Sequence, residues 1–257
     1  MLKLLKTQTF RKSSASLYTT HMVSVVIPAY NEEKALPKCL ESLANQDFPK
    51  KEFEVIIVNN NSTDKTNEVA SKFKDKLNLK VIFEKRKGRG YARHSGFKAA
   101  RGKYILSTDA DTIVPKNWIK KTVNFLENGA DAVTGPCKID DCPALTNMVF
   151  NTMQPTAMTI YELTFGHTWL NGFNFGVKRD VYKKSGGFNP KLNTMEDMDI
   201  TKKVAKVGKI KFDYSLKVTF SGRRFKKGLI PGLVPYIRDY AGYFVFKNEN
   251  VVMEDVR

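Results

Sequence analysis

Apolar positions along this chain fall into short β-branched runs separated by longer stretches of helical spacing. Val23-Ser24-Val25-Val26-Ile27 is one such run, closed by Pro28, and it predicts a buried strand. Residues 34–43 then place Ala35, Leu36, Leu40 and Leu43 on one helical face. Residues 53–58 predict a second strand. The polar turn Asn59-Asn60-Asn61-Ser62-Thr63-Asp64 follows it, offering caps for a helix that runs through Phe73. A third strand is predicted over 79–83, a loop entering a helix over 88–100, and a fourth strand over 103–107. Residues 116–126 read as a helix and 130–134 as a fifth strand.

The second half is less regular. Residues 143–165 have mixed helical character, and 171–177 read as a strand flanked by glycines. A short helix over 179–184 precedes Gly186-Gly187-Phe188, and Met195-Glu196-Asp197-Met198-Asp199-Ile200 opens a helix to Val207. Two last strands are predicted over 209–212 and 217–220.

Strand and helix alternating at this spacing mean βαβ units. The predicted fold class is α/β, a single domain with a mainly parallel central sheet and helices on both faces. In such sheets ligands bind beyond the carboxyl ends of the strands. Three polar clusters lie there: 28–33, 59–64 and 109–111.

Composition adds one unusual feature. Apolar and charged contents of 42% and 27% are ordinary, but 43 Lys+Arg against 26 Asp+Glu give a net charge of +17 over 257 residues. That balance predicts attraction to polyanions: nucleotide phosphates, nucleic acid or an anionic membrane surface. No recurring nucleic-acid module accompanies it, so no nucleic-acid partner is expected. Three cysteines (Cys39, Cys137, Cys142) make no disulfide framework, lack zinc-ligand spacing, and read as buried or inert thiols in a reducing compartment. No run of about 18 apolar residues predicts a transmembrane helix.

The ends of the chain differ from its middle. Residues 1–21 are basic and Ser-rich, and the first carboxylate is Glu32. This segment reads as a mitochondrial-type transit peptide, a disordered basic arm, or a leader added ahead of Met22. Residues 226–257 form an apolar and aromatic extension beside basic residues. It is an amphipathic helix that lies in a membrane interface or packs on the domain. The expected location is cytoplasmic, at the inner face of a membrane, or mitochondrial if residues 1–20 are a transit peptide.

Asp109 and Asp111 carry the sharpest chemistry. An apolar run ends at Thr108-Asp109-Ala110-Asp111, so two carboxylates leave a strand end close together. Oxygen ligands in that arrangement hold a hard divalent cation and leave room for phosphate oxygens on the same ion. A solvated strand-to-helix turn is the plainer alternative.

Together these segments resemble the family 2 glycosyltransferases, which have the Rossmann-like GT-A fold. The resemblance covers about residues 22–225 and rests on an ordered set. Its members are Val-Ser-Val-Val-Ile-Pro-Ala-Tyr-Asn-Glu-Glu at 23–33, Val-Asn-Asn-Asn-Ser-Thr-Asp at 58–64, Lys-Gly-Arg-Gly-Tyr-Ala-Arg at 87–93, and Asp-Ala-Asp at 109–111. Asn-Gly-Phe-Asn-Phe at 171–175, Gly-Gly-Phe at 186–188 and Glu-Asp-Met-Asp at 196–199 complete it.

The resemblance implies an inverting transferase that moves a sugar from a nucleoside diphosphate sugar, a UDP-sugar by expectation, to a hydroxyl, saccharide or polyprenyl-linked acceptor. Pro28, Ala29, Tyr30 and Glu32 would line the base and ribose pocket, with Asn60 where the family often has a uracil-reading acid. Lys87, Gly90 and Arg93 would approach the diphosphate at a helix start. Asp109, Ala110 and Asp111 would form the donor and metal site, with Asp111 and Asp109 holding Mn²⁺ or Mg²⁺. Asp197 would be the catalytic base, with Glu196 beside it, although acids at a helix start also serve the helix dipole. Trp169, Asn171, Gly172 and Asn174 would build the acceptor floor. Arg223 and Arg224 would reach the diphosphate or an acceptor phosphate, unless they are a surface basic run. Two other readings share these features: a nucleotidyltransferase, and a catalytically inactive basic module that binds RNA or anionic lipid.

Overall fold

The computed structural model describes residues 22–244; the expectations for residues 1–21 and 245–257 lie outside the described residues. Strand β1 (Val23–Ala29) is followed by helix α1 (Leu36–Ala44), strand β2 (Phe53–Asn59) and helix α2 (Thr66–Ser71). Next come β3 (Leu79–Phe83), α3 (Arg89–Ala99), β4 (Tyr104–Thr108) and β5 (Thr112–Ile113). Then follow α4 (Trp118–Glu127), β6 (Ala132–Thr134), β7 (Cys137–Lys138), α5 (Ala144–Phe165), β8 (Asn174–Lys178) and α6 (Arg179–Lys184). Helix α7 (Glu196–Ala205), β9 (Ile210–Phe212), β10 (Val218–Phe220) and α8 (Leu229–Phe244) complete the order.

The central sheet runs β3-β2-β1-β4-β8-β6-β9. Strands β3, β2, β1 and β4 are mutually parallel, β8 is antiparallel to both neighbours, and β6 and β9 are parallel. Alternation along β1 divides the core between two faces. Val23, Val25 and Ile27 pack with Leu36, Leu40, Trp118 and Ile119 of α1 and α4. Val26 packs on the other face with Ala92, Phe97, Ile200 and Val204 of α3 and α7.

Pro28 does not close β1. The Ala29 carbonyl accepts from the Asn60 N–H on the β2 side, so Pro28 faces the β4 side. The ladder to β4 ends at Val26–Ser107, and no partner asks Pro28 for a donor. A second small sheet, β5-β10-β7, was not expected from the sequence. It ties the segment after Asp111 to the last strand, and so brings Arg223 back to the carboxyl ends of β1 and β4.

Candidate active site

The loops after β1 and β2 are locked to one another before any ligand is involved. Asn31 N–H donates to Ser62 Oγ at 3.0 Å, Glu32 N–H to Thr66 Oγ1 at 2.8 Å, and Glu33 N–H to Asp64 Oδ2 at 3.0 Å. In return Thr63 N–H donates to Asn31 Oδ1 at 2.8 Å. Of the side chains expected to cap a helix, Ser62 binds the neighbouring loop, while Asp64 does so and also accepts from the Thr66 N–H at the start of α2 at 2.9 Å. Asn31 and Asn61 take φ of 53° and 65°, the left-handed region that Asn tolerates.

These loops bound a cavity of about 300 Å³. Its wall includes Pro28, Ala29, Tyr30, Glu32, Asn60, Arg93, Asp109, Ala110 and Asp111 from the first half of the chain. The second half adds Trp169, Asn171, Gly172, Glu196, Asp197, Arg223 and Arg224. Lys87, Gly90 and Asn174 do not stand on this wall.

Two arginines organise the carboxylates. Arg93, 3% exposed, donates to Asp109 Oδ1 at 2.7 Å, Glu196 Oε1 at 3.2 Å, Ser107 Oγ at 2.8 Å and the Gly172 carbonyl at 2.9 Å. It is a buried cross-link in the cavity wall, with all three nitrogens already engaged, rather than an open fork waiting for a diphosphate. Arg223 grips Glu32 with both terminal nitrogens, at 2.8 and 3.1 Å, and reaches Asp111 Oδ2 at 2.6 Å. Burial pushes the Asp111 carboxyl up to about 7, against the pull of Arg223 and with help from Asp109 and Glu32.

Asp197 stands at the first turn of α7. Met195 before it has φ of 59°, uncommon for an unbranched apolar residue and confined here to a cavity-lining turn. Burial pushes Asp197 up to about 7; neighbouring Glu196 adds to this and Arg93 opposes it. Its Oδ1 accepts from the Met198 N–H at 2.8 Å. A carboxylate poised there suits proton abstraction near neutral pH. Glu196 is engaged by Arg93, and its geometry is that of a positioning group.

Other named residues have structural partners. Asn60 Nδ2 donates to the Glu84 and Arg86 carbonyls at 3.1 and 2.7 Å, and its Oδ1 accepts from the Gly88 N–H at 2.8 Å. The amide expected to read a base edge is spent on shaping the β3–α3 loop. Gly90 fits against the 189–192 loop; a Cβ there would meet the Leu192 carbonyl at 2.3 Å. Lys87 Nζ, itself off the wall, donates to Oη of the wall residue Tyr30 at 2.9 Å. Asn174 accepts from the buried Trp118 indole at 2.9 Å and donates to the Pro136 and Leu216 carbonyls. Asn171 donates to the Gly135 carbonyl and accepts from the Trp169 indole, which packs edge-on against Tyr161 at 5.7 Å.

Sequence reasoning missed Arg89, Tyr161, Thr194, Tyr236 and Tyr240 on the wall. Tyr236 and Tyr240 are four apart on α8, a same-face spacing that signalled them. All three cysteines are free; burial raises Cys39 and pushes Cys137 up to about 12, so neither is a nucleophile. Among the described residues no group of three or more His, Cys, Asp and Glu side chains forms a metal site.

A mainly parallel sheet with carboxylates at the ends of its strands and an acid-bearing helix opposite defines the GT-A class of α/β folds. The chain belongs to glycosyl transferase family 2, whose description matches residues 24–186, more than half of it. It is 42% identical over 106 residues to the poly(ribitol-phosphate) β-N-acetylglucosaminyltransferase TarS of Staphylococcus aureus, covering 40% of this chain and 18% of that protein. It is 30% identical over 200 residues to YdaM of Bacillus subtilis, covering 72% of this chain and 47% of that one. The crystal structure of S. aureus TarS 1–349 with UDP superposes with a TM-score of 0.65 at 27% identity, covering 77% of this chain and 60% of that chain. The chain thus spans less than half the length of these two curated relatives.

Proposed function

We propose that the chain transfers a sugar from a nucleoside diphosphate sugar, UDP-linked, to a hydroxyl of a saccharide, polyol-phosphate or lipid-linked acceptor, with inversion. One observation carries this reading: Arg93 ties Asp109 at the donor end to Glu196, the neighbour of the base Asp197, within one cavity. Leaving group and acceptor would thereby stand a single guanidinium apart, in keeping with the positioning that an in-line displacement needs. The UDP complex of a 27%-identical relative supports a uridine donor.

In the proposed reaction Asp197 takes the acceptor proton as the hydroxyl attacks. Glu196 and Arg93 fix the start of α7. Arg223 faces the developing charge of the leaving diphosphate from its seat beside Asp111. Trp169 and Tyr161 give the acceptor an aromatic wall.

Asp109 and Asp111 suit Mn²⁺ or Mg²⁺: both are oxygen donors at one strand end, and burial raises the Asp111 carboxyl even though Arg223 reaches it. Such an ion, if bound there, would neutralise the charge of the leaving diphosphate.

The test is a thermal-shift panel of UDP, GDP, dTDP and their sugar conjugates with and without Mn²⁺, on wild type and Asp111→Ala. A metal-dependent rise with uridine ligands, absent in the variant, is expected. No shift with any nucleotide in a folded protein would overturn the reading.

A further inference from the structure

Helix α5 is about 33 Å long by its residue count and carries one charged side chain, Glu162. Only Phe150 and Met158 of its 22 residues are buried. Along its outer side run Leu145, Met148, Ile160 and Leu163, the last 81% exposed. Residues spaced this way share one helical face. The threonines between them do not need water: Thr152 donates to the Met148 carbonyl at 3.1 Å, Thr156 to Thr152 at 2.8 Å and Thr164 to Ile160 at 2.8 Å. A helix so uncharged and so exposed calls for an apolar covering.

Helix α8 repeats the pattern with charge added. Ile230, Val234 and Ile237 form an exposed stripe at i, i+4 and i+7. Exposed Lys226 and Lys227 precede it, and Arg238 flanks it with its side chain 57% exposed. The two helices belong to the same side of the molecule. Phe150 of α5 packs on Phe225 at 4.8 Å, and Phe225 stacks on Tyr236 of α8 at 6.3 Å. Both also line the cavity, through Tyr161 from α5 and Tyr236 and Tyr240 from α8. No described helix is long and apolar enough to cross a membrane.

We propose that the outer faces of α5 and α8 form one platform that seats the protein on an anionic bilayer surface, with the cavity beside the lipid. Apolar stripes would enter the interface while Lys226, Lys227 and Arg238 meet the headgroup charge. The platform deepens the transferase reading, because it makes a lipid-linked acceptor the one nearest the cavity. Binding to the bilayer itself does not depend on that reading.

Flotation with vesicles of phosphatidylcholine alone, and of phosphatidylcholine and phosphatidylglycerol in equal parts, tests it. The wild-type chain is expected to float with the anionic vesicles and to be released by salt. The Leu163→Glu/Ile237→Glu variant should float at least about tenfold less. Both sites are solvent-facing, so its melting curve should match wild type. Lys226→Glu/Lys227→Glu gives a second, purely electrostatic arm, with binding reduced on anionic vesicles. Absence of wild-type flotation, or equal flotation by all variants, would overturn the proposal. So would a lipid-free dimer that Leu163→Glu dissolves, which would make this face a contact between copies. UDP binding measured on the wild-type chain separates the two claims: no flotation with UDP binding kept sinks the platform alone, and flotation without UDP binding sinks the transferase reading alone.

Discussion

The Arg223 guanidinium lies 2.6 Å from the Asp111 carboxylate and grips Glu32 with the same fork. Two buried acids share this cation, and the pair is bought by folding: β10 pairs with β5, just past Asp111, and Arg223 follows β10. Arg223→Gln removes the charge and leaves both acids facing each other in a confined space. Stability at neutral pH should fall by about 1–3 kcal/mol, the usual cost of stranding a partly buried charged group. Added Mn²⁺ should recover part of the loss in the variant and change wild type less, because the cation then supplies the missing charge. Melting temperatures with and without Mn²⁺ check this. A variant that melts like wild type and ignores Mn²⁺ would show that Arg223 is not the counter-charge.

As the proposed base, Asp197 should act with opposite signs on stability and activity. Its folded carboxyl sits at about 7 against an ordinary 3.8. The native state therefore holds a proton that the unfolded chain has lost, and stability declines as pH rises through that window. Activity runs the other way, since a base works only when ionised, and kcat/KM should climb through about pH 7. Asp197→Asn should lower transfer by about 10²–10⁴-fold. It should also melt higher than wild type at about pH 8 and equal to it only at about pH 3, below the unfolded carboxyl's own pKa. A variant that melts lower at both pH values would make Asp197 a structural anchor.

The parts legible in the sequence are those that local pattern determines. The β-branched runs at Val23–Ala29 and Phe53–Asn59 could only be buried strands, and their ends fixed where Glu32 and Asn60 would gather. The antiparallel direction of β8 was not legible, because a strand buried on both faces reads the same either way. Strands β5 and β7 have two residues each, too few for any period. The duties of Asn60 and Gly90 were hidden for another reason. Each is set by backbone carbonyls that tertiary structure delivers: those of Glu84 and Arg86 to Asn60, and that of Leu192 to Gly90. Resemblance placed these two residues on the donor, while packing has given them to the loops that shape it.

Asn60→Asp separates those two roles. An aspartate would keep the acceptor for the Gly88 N–H but would replace two donated bonds with carboxylate oxygens pointed at two carbonyls. Chemical denaturation should report a loss of about 1–3 kcal/mol. Preference for uridine over other nucleotides should weaken or stay the same as the loop loosens. Sharper uridine selectivity with unchanged stability would return the residue to the base pocket.

Gly172 is where shape alone protects the chemistry. A Cβ at this position would meet Arg93 Nη2 at 2.5 Å. Its carbonyl also accepts from Arg93 Nη1 at 2.9 Å and from Ser107 Oγ at 2.7 Å. Arg93 has nowhere to retreat, because it is buried and holds Asp109 and Glu196 at the same time. Gly172→Ala should therefore push the guanidinium aside and cost about 1–3 kcal/mol as overpacking. The loss in activity should be larger in proportion, up to about 10²-fold, since a displacement near 1 Å moves the donor end and the base end together. Gly166→Ala supplies the contrast. Its φ is 71° and a Cβ there meets nothing within 4 Å, so it should lose about 1 kcal/mol from helix termination with turnover intact. Paired unfolding and turnover measurements on the two alanine variants decide the matter: equal activity losses would mean that strain anywhere in the second half disables the site, and that Arg93 has no special hold on it.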